Sequence, residues 1–255
     1  MDSGIKVLSA NCQGLRSKEK RNDVLNYLSS LQPGIICLQD THWIDSDIRL
    51  IKQIWNGDVY IKGEKSNSRG VAILIKDNFE YKVLSSFSDD VGNLIGVNLA
   101  IGEFTLKLIN IYGPNTDSPD FYAKLRDLIT SNEQDYVMIC GHFNLALDPT
   151  LDTNNYKSIN NPKSRAIFKS TIECCNLTDI YRYFHPKTKR YTWRRKKPFQ
   201  QARLDYIITS NAFVDVIEKC NIKPGYRTDH SIVEINIELC KFIRGKGSGN
   251  LTVHY

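Results

Sequence analysis

The sequence predicts an α/β fold in which two β-sheets pack face to face and helices cover their outer sides. Three observations point to it. Short runs rich in Val, Ile, Leu and Tyr recur along the chain, each bounded by Gly, Pro, Asn, Asp or Ser. Amphipathic segments with helical spacing lie between several of these runs. No repeat with a period of roughly 20–50 residues divides the chain, and its 255 residues fit one large β-rich domain.

The elements follow in order. Residues 5–10 form the first expected strand. A helix is expected over 19–31, where Val24, Leu25, Leu28 and Leu31 share one side and Pro33 stops the pattern. Strands are expected over 35–39 and 70–75. The stretch 71–75 is apolar throughout, as in a strand buried on both faces. Strands over 95–99 and 105–112 come next, and the alternation from Thr105 to Ile111 predicts one wet face. Ser118-Pro119 opens a helix over 120–131 that aligns Phe121, Leu125, Leu128 and Ile129. A strand over 136–140, a helix over 164–175 carrying Ile167, Phe168, Thr171 and Ile172, and strands over 204–209 and 232–239 complete the set. One domain is therefore expected over residues 1–239. Residues 240–255, rich in Gly and Lys, read as a linker or tail.

Composition narrows the class. Hydrophobic residues make up 41% and charged residues 24%, ordinary for a globular protein. The net charge of +6 leans towards anionic partners. Lysines and arginines concentrate between Lys187 and Lys197, with Tyr191 and Trp193 among them. The seven cysteines show no metal-binding spacing and read as reduced core thiols. Without an apolar leader or a run of ~18 apolar residues, the sequence predicts neither secretion nor membrane insertion.

Polar residues gather at the expected strand ends. Asn11, Asp40 and Tyr112 each close a run, and His142 and Asn144 follow 136–140. Asp205 lies near the start of one strand, and Asp229 and His230 precede another. If these ends converge, the pocket holds carboxylates, amides, a phenol and imidazoles. Carboxylates hold a hard cation and amides orient phosphate oxygens. A His supported by an Asp moves a proton or stabilises charge. Such a mixture suits metal-assisted attack on a phosphodiester. Taken singly, each residue has a plainer reading as a turn, cap or core residue.

The order of the motifs adds a resemblance. LSANCQGLR (8–16), ICLQDTHW (36–43), RGVAILI (69–75), LINIYGPN (108–115), ICGHFNLALD (139–148), RLDYIITS (203–210) and TDHSIV (228–233) resemble the endonuclease/exonuclease/phosphatase superfamily. Within it, the wording, including LTDIYRYFHPKTKRYTW (177–193), looks most like the apurinic-type endonuclease domain of LINE-1-like retrotransposons. The resemblance implies a four-layer α/β sandwich of two mainly antiparallel sheets flanked by helices. It also implies a Mg2+-dependent endonuclease, with Mn2+ as an alternative ion, that nicks DNA to leave a 3′-hydroxyl primer for reverse transcription.

Roles follow by position. Asp40 would be the principal metal ligand, with Asn11 and Asp229 beside it. Tyr112 and Asn144 would orient the phosphate or nucleophile. Asp205 would orient His230, and His230 would contact the phosphate. Arg16, Lys163, Arg165, Arg190, Thr192, Trp193, Arg194, Arg195 and Lys196 would face double-stranded DNA. The basic stretch would form a hairpin, and Trp193 or Phe199 would stack on or wedge against a base. A reverse transcriptase domain is expected in the full polypeptide, the isolated domain is expected to be a monomer, and the site of action nuclear.

Two positions depart from the family wording. Gln39-Asp40-Thr41 has Asp where the family has Glu, and Gly141-His142-Phe143-Asn144 has His where it has Asp. The shorter Asp40 must still reach an ion that prefers ligands at about 2.0–2.1 Å. His142 replaces the carboxylate that usually activates or orients the attacking water. The expectation is a retained fold with weakened activity, and the alternative is an inactive DNA-binding module. An inositol-phosphate phosphatase would need a basic head-group pocket or a membrane-facing loop, and the sequence offers neither convincingly.

Overall fold

The computed structural model describes residues 4–131, 134–156 and 160–238. The proposed tail over 240–255 lies outside the described residues. Strands β1 (Gly4–Asn11), β2 (Ile35–Gln39), β3 (Gly57–Lys62) and β4 (Val71–Lys76) begin one sheet. Strands β5 (Lys82–Ser88), β6 (Leu94–Ile101), β7 (Phe104–Tyr112) and β8 (Tyr136–His142) begin the other. A short strand β9 (Thr153–Asn154), with β11 (Trp193–Arg195) and β12 (Gln200–Ala202), makes a small third sheet. Strands β10 (Leu177–Asp179) and β13 (Asp205–Ser210) complete the second sheet, and β14 (Ile217–Pro224) and β15 (Ser231–Glu238) complete the first.

The six-stranded sheets run β14-β15-β1-β2-β4-β3 and β10-β13-β8-β7-β6-β5. In each, one parallel pair sits at the centre, β1 with β2 and β7 with β8, and all other pairs are antiparallel. Parallel neighbours need a crossover. Helix α1 (Lys18–Ser30) lies in the first crossover. The short α2 (Ile48–Lys52) precedes β3, and α3 (Pro119–Thr130) lies in the second crossover. Helices α4 (Pro149–Asp152), α5 (Pro162–Cys174) and α6 (Ile180–Phe184) connect the later strands.

Alternate side chains build the layers. Val7, Ile35, Cys37 and Ile73 meet Val97, Leu108, Met138 and Ile207 in the core between the sheets. Leu8, Ile36, Leu38 and Leu74 pack outward against Val24, Leu25 and Leu28 of α1. Ile109, Ile139 and Ile208 pack outward against Tyr122 and Leu125 of α3 and Phe168 of α5. The four-layer sandwich expected from the sequence is therefore the observed architecture. Among the described residues no helix is long and apolar enough to cross a membrane.

Strand β7 differs from its expectation of one wet face, because it is buried on both. Lys107 is almost fully buried, and its Nζ donates to the Leu128 and Ser131 carbonyls. An ammonium there satisfies carbonyls that the end of α3 leaves unpaired. The polar letters that suggested solvent are internal hydrogen-bonding groups. The cysteines match their expectation in part. Cys12, Cys37, Cys140 and Cys220 are buried, Cys175 is half-buried, and Cys174 is exposed.

Candidate active site

The parallel pairs bring functional side chains to one end of the sandwich. Asn11 pairs in register with Gln39, the residue before Asp40. Tyr112 pairs with His142 across β7 and β8, and His142 pairs with Asp205 across β8 and β13. Two buried amides join the sheets just below these ends. Gln39 Nε2 donates to Asn110 Oδ1 at 2.7 Å, and Asn110 Nδ2 donates to the Leu38 and Ala72 carbonyls. This buried hydrogen bond between the sheets fixes their relative position, although Gln39 Oε1 has no partner among the described residues. Gly141 permits the approach of β7 and β8, since a Cβ there would lie 2.2 Å from the Ile111 carbonyl oxygen.

At the centre, one carboxylate holds two imidazoles. Asp205 Oδ1 lies 3.1 Å from His142 Nδ1, and Asp205 Oδ2 lies 2.9 Å from His230 Nδ1. The His142 and His230 rings meet edge to face with centroids 4.9 Å apart. Tyr112 stacks on His142 at 5.3 Å. Burial acts to raise the Asp205 pKa, but the two imidazoles outweigh it and hold the carboxyl well below its usual range. Burial acts to lower the His230 pKa, but Asp205 outweighs it, helped by Asp229 and Asp40, so the net shift is upward. Tyr112 is pushed up by burial and by the charges of Asp40 and Asp205, which keeps it a neutral hydroxyl. These couplings bring Asp40, Tyr112, Asp205 and His230 into one electrostatic neighbourhood.

Backbone geometry aims the remaining groups. Asp40 and Asn144 both have positive φ, 51° and 55°, a region that Asn and Asp tolerate better than most residues. Asp40 Oδ1 accepts from the Arg69 backbone N at 3.1 Å and lies 3.2 Å from His42 Nε2. Asn144 Nδ2 donates to Asn115 Oδ1 and Gly113 O, and its own carbonyl accepts from Asn160 and Asn161. Thr228 Oγ1 donates to the Asn11 carbonyl at 3.1 Å and accepts from the His230 backbone N at 3.2 Å. A small cleft lined by Asn11, Tyr27, Tyr226, Thr228 and His230 opens beside this group.

The small sheet docks onto the same loop. Trp193 bridges to His230, Trp193 Nε1 donates to Asp229 Oδ2 at 3.0 Å, and Ser231 N donates to the Thr192 carbonyl at 2.6 Å. The β11–β12 hairpin exposes Arg195, Lys196 and Phe199, and Arg190 is exposed just before it. Arg194 is half-buried and donates to Ser231 Oγ. Thr192 differs from the expectation of a DNA-facing side chain. It is fully buried, and its Oγ1 accepts from the backbone N–H groups of Leu204 and Asp205. Its hydroxyl therefore holds the start of the strand that carries Asp205. Lys163 is exposed at the start of α5, Arg165 lies against Asn160 O, and Arg16 pairs with Asp47 at 2.5 Å.

Several contributors escaped the sequence reading. His42 and Arg69 hold Asp40. Gln39 and Asn110 join the sheets, and Asn115, Asn160 and Asn161 hold Asn144. Arg203 is almost fully buried just before Asp205, and clamps Asp152 and Asp179 together. An arginine buried within an apolar strand approach was the available signal for that clamp.

The chain is similar to known proteins over most of its length. The uncharacterized 149 kDa protein of transposon TX1 from Xenopus laevis is 25% identical over 240 residues, 92% of this chain but 18% of its own length. The chain thus spans under a fifth of that relative. An exodeoxyribonuclease of Bacillus subtilis is 24% identical over 263 residues, covering 92% of this chain and all of its own. The AP endonuclease LMAP of Leishmania major has the same fold, with a TM-score of 0.76 at 17% identity over 92% of this chain and 88% of that one. A family model matches residues 8–230. The chain belongs to the Endonuclease/Exonuclease/phosphatase family.

Proposed function

We propose that this domain is a metal-dependent endonuclease that nicks one strand of duplex DNA and leaves a 3′-hydroxyl. In a longer retrotransposon polypeptide, that hydroxyl would prime reverse transcription by a companion domain. The observation that carries this reading is the Asp205–His230 pair, buried at the strand ends beside Asp40, Tyr112 and Asn11. The similarity to a Xenopus transposon protein and a Bacillus exodeoxyribonuclease favours DNA over inositol phosphates as substrate. Action is expected in the nucleus, and the isolated domain is expected to work as a monomer.

The donor set fits a hard cation. Asp40 engages protein donors through Oδ1, and its Oδ2 has no hydrogen-bond partner among the described residues. With oxygens from Asn11 and Asp229, it would hold Mg2+ or Mn2+. Such an ion, when bound, neutralises phosphate charge and lowers the pKa of bound water. The protein does the rest. Asp205 fixes the His230 ring through Nδ1 and favours its charged form, so Nε2 is the ring nitrogen left to donate to a phosphate oxygen. The neutral Tyr112 hydroxyl offers a second donor. The exposed lysines and arginines of the hairpin supply sequence-independent affinity for the backbone.

His142 and Asp40 weaken this machinery. His142 Nδ1 is engaged by Asp205, so only Nε2 is left to take a proton from water. The position usually carries a carboxylate, and losing one well-placed proton-transfer group forfeits roughly 10²–10⁴-fold in rate. That engagement of His142 also favours a second reading, a DNA-binding module without cleavage. Supercoiled plasmid decides between them. Nicking that requires Mg2+ or Mn2+, disappears in His230→Ala and leaves ends extendable by a polymerase supports the endonuclease. Salt-dependent DNA binding with no nicking supports the binding module.

A further inference from the structure

We propose that His142, Asp205 and His230 form a site for a borderline divalent transition ion, with Zn2+ as the best fit. This site is distinct from the oxygen-donor set around Asp40, and it does not rest on the nuclease reading. Each of the three residues offers a ligand atom, and these atoms lie within 4.8 Å of one another. Both imidazoles turn Nδ1 towards the two oxygens of one carboxylate, at 3.1 and 2.9 Å. All three side chains are buried.

The chemistry selects the ion. Two imidazole nitrogens and a carboxylate form an N/O donor set that suits zinc and its neighbours, while magnesium prefers oxygen alone. Zinc bonds of about 2.0–2.1 Å place tetrahedral neighbours about 3.3–3.4 Å apart. The three ligand atoms lie within 4.8 Å of one another, and the imidazoles now reach separate carboxylate oxygens at 3.1 and 2.9 Å, so binding would draw them closer around one ion. Coordination through Nδ1 requires neutral rings with their protons on Nε2, so His230, whose charged form Asp205 favours, releases a proton to solvent as the ion binds. Three protein ligands leave a fourth position for water, as in catalytic zinc sites.

The surroundings hold these ligands in place. The Asp205 backbone N donates to the buried Thr192 hydroxyl, and Tyr112 stacks on His142. Such outer contacts orient ligands and sharpen affinity. The site exists because residue 142 is an imidazole, since a carboxylate there would leave a single nitrogen donor. An ion held by the two Nδ1 atoms and Asp205 would fix His230 and replace its hydrogen bond to Asp205. Zn2+ would then act on His230 independently of Mg2+.

Cobalt(II) provides a direct probe, because four-coordinate Co2+ absorbs in the visible. The chain, stripped with chelator, would be titrated with Co2+ and then with Zn2+. Cys174→Ser and Cys175→Ser would be present throughout to remove the adjacent thiols, whose sulfurs lie 3.6 Å apart. One equivalent of Co2+ should produce the bands, and one equivalent of Zn2+ should abolish them. His142→Asp and His142→Gln, each with an unchanged circular dichroism spectrum, should bind more weakly by at least the roughly 10–100-fold that loss of an outer contact costs. Absence of bands at stoichiometric Co2+, or bands that survive both folded His142 variants unchanged, would overturn the proposal.

Discussion

Replacing Arg203 with methionine should destabilise the domain severely while leaving its apolar volume nearly intact. The guanidinium is 1% exposed and makes four hydrogen bonds to two carboxylates. Its Nε and Nη2 reach Asp152 at 2.8 and 3.0 Å, and its Nη1 and Nη2 reach Asp179 at 3.0 and 2.6 Å. Asp152 is itself fully buried and, among the described residues, would keep Arg182 as its only ion-pair partner, at 2.6 Å. Removing one member of a buried ion pair costs about 3–5 kcal/mol, because the other charge stays buried. The stacking of Arg203 on Tyr206, 4.4 Å from the ring centroid, would be lost as well. For a domain of this size each kcal/mol lowers Tm by roughly 2–4 °C, so the total should be about 6–20 °C. Urea unfolding with a wild-type m-value would measure it. A loss under about 1 kcal/mol, the worth of an exposed ion pair, would refute the view that this clamp anchors the strand carrying Asp205.

Other perturbations test the site. Asp205→Asn removes the charge shared by two imidazoles and should cut any nicking by about 10²-fold or more; an unchanged single-turnover rate would count against a shared role. The Asp205 pKa is lower in the folded chain than in the unfolded one. Its stabilisation is therefore complete above the unfolded carboxylate value of about 3.9 and lost as pH falls below it. Acid unfolding of metal-free Asp205→Asn should consequently show a shallower decline than wild type below that pH. Changing Arg194, Arg195 and Lys196 together to Gln should weaken duplex binding and flatten the log K against log salt slope by about 2–3 units. A slope equal to wild type would remove the hairpin from the phosphate backbone.

Much of the architecture was legible because its central strands are apolar on both faces. Residues 35–39 and 71–75 show this, as do the strand ends that carry Asn11, Tyr112 and His142. Edge strands were harder. In β5, Lys82–Ser88, most positions are exposed, so polar letters hide its pairing with β6. Strand β14 mixes exposed Glu218 and Lys219 with buried Cys220 and Ile222, a pattern interrupted by a register shift. At the site, the residue types at each strand end could be read from the chain. Their partners could not. The second imidazole on Asp205 depends on the register that sets His142 opposite Asp205. The role of Thr192 depends on how a short hairpin meets the start of β13. Long-range register leaves little trace in local spacing.

The proposed function is a metal-dependent DNA-cleaving site weakened at residue 142. Its most direct test is single-turnover nicking of supercoiled plasmid by wild type and His142→Asp, side by side, with Mg2+ and with chelator. Wild type should nick slowly and only with metal, and His142→Asp roughly 10²–10⁴-fold faster. Equal rates for the two folded proteins, or no nicking by either with metal present, would contradict it.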